Sequence, residues 1–281
     1  MYVGIVGDKS KEYLSRIEDA LELEIKKYRT SKLSEPLQYA VSGGKRIRPL
    51  ILLHCVEATG GSCEDGINAA VAIELLHTES IIHDDIIDED SSRRNKPSFY
   101  IKYGYNVSLL TADFVFGIIL DIASREDNPK VAKMISSAAL QMCEGEFQEL
   151  NKDPLKNNMK WEEYIKLIRL KTASLFESSS QLGAILGEGD HQEELAQYGL
   201  SLGLAYQIQD DALDWNINEN TEKVLNIGKE NDLLEYLIEQ CKFYANQAKR
   251  SLDNIQDSES KEYLINLTEL VIESATRKLS K

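Results

Sequence analysis

The chain has 281 residues, enough to bury a large core, with only five prolines and 16 glycines. Its 47 acidic residues outnumber 32 basic ones, and the formal charge of −15 excludes a general nucleic-acid binder, which needs a basic footprint. Cys55, Cys63, Cys143 and Cys241 show no C-x-x-C spacing, so free thiols are expected rather than disulfides or a zinc site.

No proline- or serine-rich linker or long charge block marks a boundary, and residues 1–281 are expected to form a single domain. The run YVGIVG at 2–7 stops at Asp8, too short for a signal peptide and without the G-x-G-x-x-G turn of a dinucleotide-binding strand. No run approaches the ~18 apolar residues of a membrane span, so a cytoplasmic protein without a transmembrane segment is expected.

Residues 9–29 place Tyr13, Leu14, Ile17, Leu21 and Ile25 at helical spacing, and Ser34–Val41 reads as a short helix. Gly43 and Gly44 then break the chain, Lys45, Arg46 and Arg48 follow, and Pro49 leads into the apolar run Leu50–Val56. Lys45 and Arg48 stand at i,i+3, the spacing of a shared helix face. Cations at a helix N-terminus oppose its dipole unless an anion is gathered there, although a solvated basic turn accounts equally well for these residues.

Residues 64–84 form a strongly apolar helix, followed by Asn106–Ser124 and Pro129–Leu150, the latter carrying Glu144, Glu146 and Glu149. Trp161–Leu186 divides at Leu170-Lys171-Thr172, and Leu195–Trp215 is again helical. Residues 216–231 read as a loop, and 232–252 and 258–279 as amphipathic helices. Strand alternation is missing throughout, so the fold class is all-α, a bundle of about 10–12 helices.

Two stretches carry chemistry. HDDIID ends the helical run that starts at 64 with Asp84, Asp85 and Asp88, and QDDALD closes a later one with Asp210, Asp211 and Asp214. Like charges on one helix face repel, so each cluster makes sense against something strongly positive. Mg²⁺ takes hard oxygen ligands of this type, one or two carboxylates with the remainder from water and substrate phosphate. In a chain this acidic, one DDxxD arises by chance at a rate of roughly 7%, and an exposed acidic face would explain it. A second copy at the end of another apolar helix makes coincidence far rarer. The Cys and His content gives no competing site, and His77 or His83 alone reads as a packed or capping histidine.

In order, GGKRIRP, HDDIIDEDSSRR, LKTASLF and YQIQDDALD resemble the trans-isoprenyl (polyprenyl) diphosphate synthase family, over about residues 35–215. The resemblance implies an isoprenoid synthase fold with a central cavity and a prenyltransferase that joins isopentenyl diphosphate to an allylic diphosphate. It implies about three Mg²⁺ ions held by Asp84, Asp85, Asp88, Asp210, Asp211 and Asp214. Isopentenyl diphosphate would meet Lys45, Arg48, His77 and Arg94. The allylic diphosphate would meet Arg93, Lys171, Thr172 and Gln207, with Glu149 near the metals. A homodimer is the expected assembly.

The same resemblance makes the residue five before the first aspartate a floor of the chain-length pocket. Here that is Glu79, with Leu75 and Leu76 about one turn deeper, and the pattern HTESIIHDD favours products of C20 or longer. A glutamate facing hydrocarbon is costly unless paired, so Glu79 could instead face a helix or a subunit interface. After Trp215 the family's GKPxGxD stretch and its lysine are absent. Lys223 and Lys229 are the candidates to replace that lysine, without the expected spacing. Two other functions share some of these features. A class I terpene synthase has one such aspartate motif, and a non-catalytic, chain-length-setting subunit of a heteromeric synthase would tolerate the shortened C-terminal region.

Overall fold

The structure is a computed structural model and describes residues 7–93, 96–150, 159–187, 189–214 and 230–277. Among these residues the chain runs through twelve α-helices: α1 (Asp8–Lys26), α2 (Ser34–Val41), α3 (Ile47–Ala58), α4 (Cys63–Ile87), α5 (Phe99–Tyr103), α6 (Tyr105–Ser124), α7 (Pro129–Leu150), α8 (Trp161–Ile168), α9 (Ser174–Leu186), α10 (Gln192–Asp214), α11 (Glu230–Ser251) and α12 (Glu259–Thr276). Between α8 and α9 the chain widens into one π-helical segment, Arg169–Ala173.

The middle of the bundle follows from residues that are apolar all round their helices. In α3 every residue but Arg48 and Glu57 is buried. Helix α4 starts at a capping box in which Asp65 accepts the Ser62 backbone N–H at 2.7 Å, then buries Ala69 through Leu76. Helices α3, α4, α9 and α10 contribute to one continuous core that reaches Tyr13 at one end of the sequence and Ala275 at the other.

Three details differ from the sequence reading, and one expectation lies outside the described residues. A two-residue antiparallel ladder, Ser92–Arg93 against Lys96–Pro97, follows α4; it is too short to leave a period-two signal. Lys45 precedes α3, so it and Arg48 share no helix face: Gly43 (φ 76°), Gly44 (φ 112°) and Arg46 (φ 51°) take the chain through left-handed conformations there. The expected loop at 216–231 lies almost wholly outside the described residues, as do Lys223, Lys229 and Trp215. Finally, α6 is long and apolar enough to cross a membrane, which was not expected. Its sequence also holds Asp113 and Asp121, and Val115, Ile118, Ile119 and Ile122 are buried in the bundle core. Leu109, Leu110, Phe116 and Leu120 remain exposed on it.

Candidate active site

Both aspartate clusters end their helices. Asp84 and Asp85 lie in the last turn of α4 with Asp88 as its C-cap, and Asp210 and Asp211 lie in the last turn of α10. The negative end of a helix dipole meets carboxylates there, an arrangement that is unfavourable until a cation is supplied. Asp214 is the final residue of α10, and its side chain is outside the described residues.

At α4 the cation in the structure is a lysine. The Lys171 ammonium, projecting from the π segment, lies 2.7 Å from Glu146 and 2.7 Å from Glu149 on α7, and 4.0 Å from Asp84. Such a π segment widens the helix locally, a geometry frequent at functional sites. Gly145 makes the approach possible: a Cβ on it would sit 2.7 Å from the Lys171 backbone nitrogen. Burial pushes the Asp84 carboxyl up to about 7, with Lys171 opposing and Glu146 and Asp88 adding to the rise. Asp88 is also raised, again mainly by burial. The carboxylates here are more than one ammonium neutralises.

Asp85 behaves differently from its neighbours. It is 1% exposed, one oxygen accepting from Arg93 Nε at 2.6 Å and the other from the Phe99 backbone N–H at 2.8 Å. The sequence reading expects it to hold metal alongside Asp84 and Asp88, yet in the structure both its oxygens already have donors. Arg93 also reaches Asp90 at 3.2 Å, so the arginine is braced between two carboxylates.

A relay of hydrogen bonds ties the π segment to the second cluster. Thr172 Oγ1 donates to Gln207 Oε1 at 2.8 Å, and Gln207 Nε2 donates to Asp211 at 2.8 Å. Tyr164 donates its hydroxyl to the other Asp211 oxygen, and Gln209 donates to Asp210 at 3.0 Å. Lys171 and Thr172 are adjacent, so one turn of chain touches both acidic regions.

The basic residues before and inside α3 stand in two environments. Lys45 is exposed, and Arg48 is partly buried with its guanidinium 4.5 Å from the Phe176 ring centre. Burial lowers the Arg48 guanidinium from the ordinary arginine range, against the fields of Tyr206, Glu74 and Asp210. Its Nε is buried with no hydrogen-bond partner among the described residues, a donor that a phosphate oxygen would satisfy. His77 is half-buried on α4, and Arg94 lies outside the described residues.

Arg46 was not singled out by sequence reasoning. It is 4% exposed and donates to Glu18 at 2.8 Å, Glu74 at 2.6 Å and the Val41 carbonyl at 2.6 Å, fixing the left-handed turn that sets Lys45 and Arg48 apart. The available signal was Glu74, a lone acid in the apolar stretch AAVAIELL. Glu146 was also missed as a site residue, because its partner Lys171 is 25 positions away and no local spacing joins them.

A cavity of about 260 Å³ leads from this cluster. Asp84, Glu146 and Lys171 stand at its polar part, and Leu76, Ile87, Ala139, Met142, Phe147 and Leu150 give it apolar walls. Glu79 is a wall residue rather than a distant contact, its charge met by His83 Nδ1 at 3.1 Å. Leu75 is fully buried in the core and is not among the lining residues, so the expectation that it floors the cavity together with Leu76 is corrected.

The polyprenyl synthetase family profile matches residues 30–269. A geranylgeranyl diphosphate synthase from Methanosarcina mazei is 31% identical over 236 residues, covering 81% of this chain and 72% of that one. An octaprenyl diphosphate synthase from Escherichia coli is 36% identical over 201 residues, covering 68% and 61%. The crystal structure of a geranylgeranyl pyrophosphate synthetase from Pyrococcus horikoshii superposes with a TM-score of 0.84 at 27% identity, covering 95% and 98%. The fold is thus that of the isoprenoid synthases, and the chain belongs to the polyprenyl synthetase family of trans-isoprenyl diphosphate synthases. It is a prenyltransferase, and members of its family work with divalent metal ions. A class I terpene synthase is set aside by this membership.

Proposed function

We propose that the chain condenses isopentenyl diphosphate head-to-tail with an allylic diphosphate to give an all-trans polyprenyl diphosphate of C20 or longer, using Mg²⁺. The observation that carries this reading is one cavity with Asp84, Glu146 and Lys171 at a polar part and hydrocarbon walls beyond. A diphosphate needs the first and a growing prenyl chain needs the second.

The donor set fits Mg²⁺. Asp84, Asp88, Asp210 and Asp211 offer oxygen, and among the described residues no group of three or more His, Cys, Asp or Glu closes on an ion unaided. Magnesium suits such a half-built site because it keeps waters and shares substrate phosphate oxygens. Bound there, the ions would supply positive charge to the departing pyrophosphate. Asp85 then serves by bracing Arg93 rather than as a ligand.

The chain's own residues do the following. Lys171 and Arg93 hold the allylic diphosphate as cations, with Thr172 and Gln207 fixing the π segment against Asp211. The allylic C–O bond breaks with its electron pair leaving on the diphosphate. The double bond of isopentenyl diphosphate, held by Lys45, Arg48, His77 and Arg94, supplies the pair for the new C–C bond. Loss of a proton then regenerates an allylic product. Apolar walls keep water from the cation, which would otherwise end as an alcohol.

Length control falls to the cavity wall. Glu79 and Leu76 line it at successive turns of α4, and the Glu79–His83 pair offsets the cost of a carboxylate beside hydrocarbon. Replacing Glu79→Tyr should shorten the main product by at least one isoprene unit, seen by chromatography of the hydrolysed prenols; an unchanged distribution would take Glu79 out of length control. The exposed apolar face of α6 is read as the contact of a homodimer.

The direct test is purified protein with Mg²⁺, isopentenyl diphosphate and farnesyl diphosphate. Pyrophosphate release with a longer prenyl product is expected. Neither appearing would sink the catalytic reading and favour a subunit that only sets chain length for a partner.

A further inference from the structure

The Lys171 ammonium has more anionic neighbours than a substrate-binding lysine needs. Glu146 and Glu149 each sit 2.7 Å from it, on a helix that carries neither aspartate cluster, and Asp84 is 4.0 Å away. Glu146 is 14% exposed and Lys171 27%, so the pair is shielded from bulk water. Asp84 and Asp88 both feel the charge of Glu146. Gly145 presses α7 onto the π segment, so the two carboxylates and the ammonium are held together by backbone packing and not by long mobile side chains alone.

We propose that Glu146 is a positioning residue which, with Glu149, parks the Lys171 ammonium beside Asp84, where it stands in for a divalent ion until a diphosphate draws it away. This rests on the reading of Asp84 and Asp88 as metal ligands. A cation already beside the first cluster opposes a second one by Coulomb repulsion. Divalent metal therefore binds poorly by itself. A diphosphate brings negative charge that attracts the ammonium from Glu146 and Glu149, and the carboxylates become available as the ion arrives. Metal and diphosphate binding are then reciprocally coupled, as linkage requires.

The coupling can be read without turnover. Mn²⁺ binding to the metal-free protein, followed by electron paramagnetic resonance of the free ion, should be weak for the wild type and tightened by inorganic pyrophosphate. Lys171→Met should bind Mn²⁺ alone about tenfold or more tightly than the wild type, because the opposing charge is gone. Lys171→Arg keeps the charge and should match the wild type. Glu146→Gln loosens the hold on the lysine, so pyrophosphate binding in the presence of a chelator should tighten several-fold. All variants are first checked for wild-type helical content, and a K171M that does not fold is replaced by K171Q. Folded K171M or K171Q that binds Mn²⁺ no better than the wild type overturns the stand-in role, and unchanged pyrophosphate binding in E146Q overturns the role of Glu146. Failure of the underlying metal site shows itself separately: Asp84→Asn and Asp88→Asn would then leave Mn²⁺ binding with pyrophosphate unchanged.

Discussion

His54 is fully buried among α1, α3 and α12, far along the chain from either aspartate cluster. Its Nε2 is 2.9 Å from Ser10 Oγ and its Nδ1 2.9 Å from Ser260 Oγ, and its ring stacks on Tyr263 at 3.9 Å. Ser260 spends its one hydroxyl proton on Glu57, so its oxygen accepts from His54 and the imidazole proton belongs on Nδ1. Nε2 then accepts from Ser10. Burial drives the imidazole down to about 3, below the ordinary histidine value of 6.5. The unfolded chain therefore takes up this proton first as acid is added. The stability it confers is complete above about pH 6.5 and is lost progressively as pH falls towards 3. Thermal unfolding scans should show Tm falling over that window, and His54→Phe should flatten the slope while lowering Tm at pH 7, since Ser10 loses its partner at a cost of about 1–3 kcal/mol. A pH dependence identical to the wild type would assign the acid limb to other groups. Nothing in the local pattern LILLHCVE announces this role: a histidine inside an apolar run is legible as buried, but its two serine partners lie 44 and 206 residues away.

Helix packing decides where Lys171 stands. Gly145 lies within α7, where alanine is intrinsically better by about 1 kcal/mol. An added Cβ would nevertheless meet Lys171 N at 2.7 Å, Leu170 Cβ at 3.0 Å and Leu170 C at 3.1 Å, and two of these are backbone atoms that cannot swing aside. Gly145→Ala should therefore destabilise by about 1–2 kcal/mol net, lowering Tm by several degrees, and should reduce kcat by shifting Lys171. A Tm at or above that of the wild type would show that α7 can slide without cost. The helices themselves were readable from their period: Ser34–Val41 and Pro129–Leu150 have the expected bounds, and the interruption at Leu170-Lys171-Thr172 is where the π segment forms. What the pattern could not carry was contact between elements. Asp85 looks like Asp84 in sequence, and only the Arg93 and Phe99 donors separate them; Leu75 looks like Leu76, and both are buried in the core, but the packing of α4 gives only Leu76 a face on the cavity.

At the scale of the whole molecule, two successive helices leave large apolar side chains exposed among the described residues. Leu109, Leu110, Phe116 and Leu120 on α6 are 39–57% exposed, and on α7 Leu140, Phe147 and Leu150 are 57–72% exposed. Single exposed leucines are ordinary, but several from two successive helices exceed what isolated exposure explains. The length and hydropathy of α6 also suit a membrane span. Its buried face, however, joins the core through Val115, Ile118, Ile119 and Ile122, and Asp113 and Asp121 would both enter the hydrocarbon. A second copy of the chain, as proposed, would cover the exposed leucines without that cost. Phe147 and Leu150 line the cavity and are also exposed, so a protein partner reaching α7 would also shield the cavity from water. The double substitution Leu110→Glu with Leu120→Glu changes two residues that are 57% and 56% exposed, and so should leave the fold intact. It should weaken self-association by at least about tenfold, since each charge must be desolvated at a dimer contact. Sedimentation equilibrium would show a concentration-dependent dimer for the wild type and a monomer for the variant. A wild type that sediments as a monomer throughout, or a variant that dimerises as tightly as its parent, would remove α6 from any subunit contact.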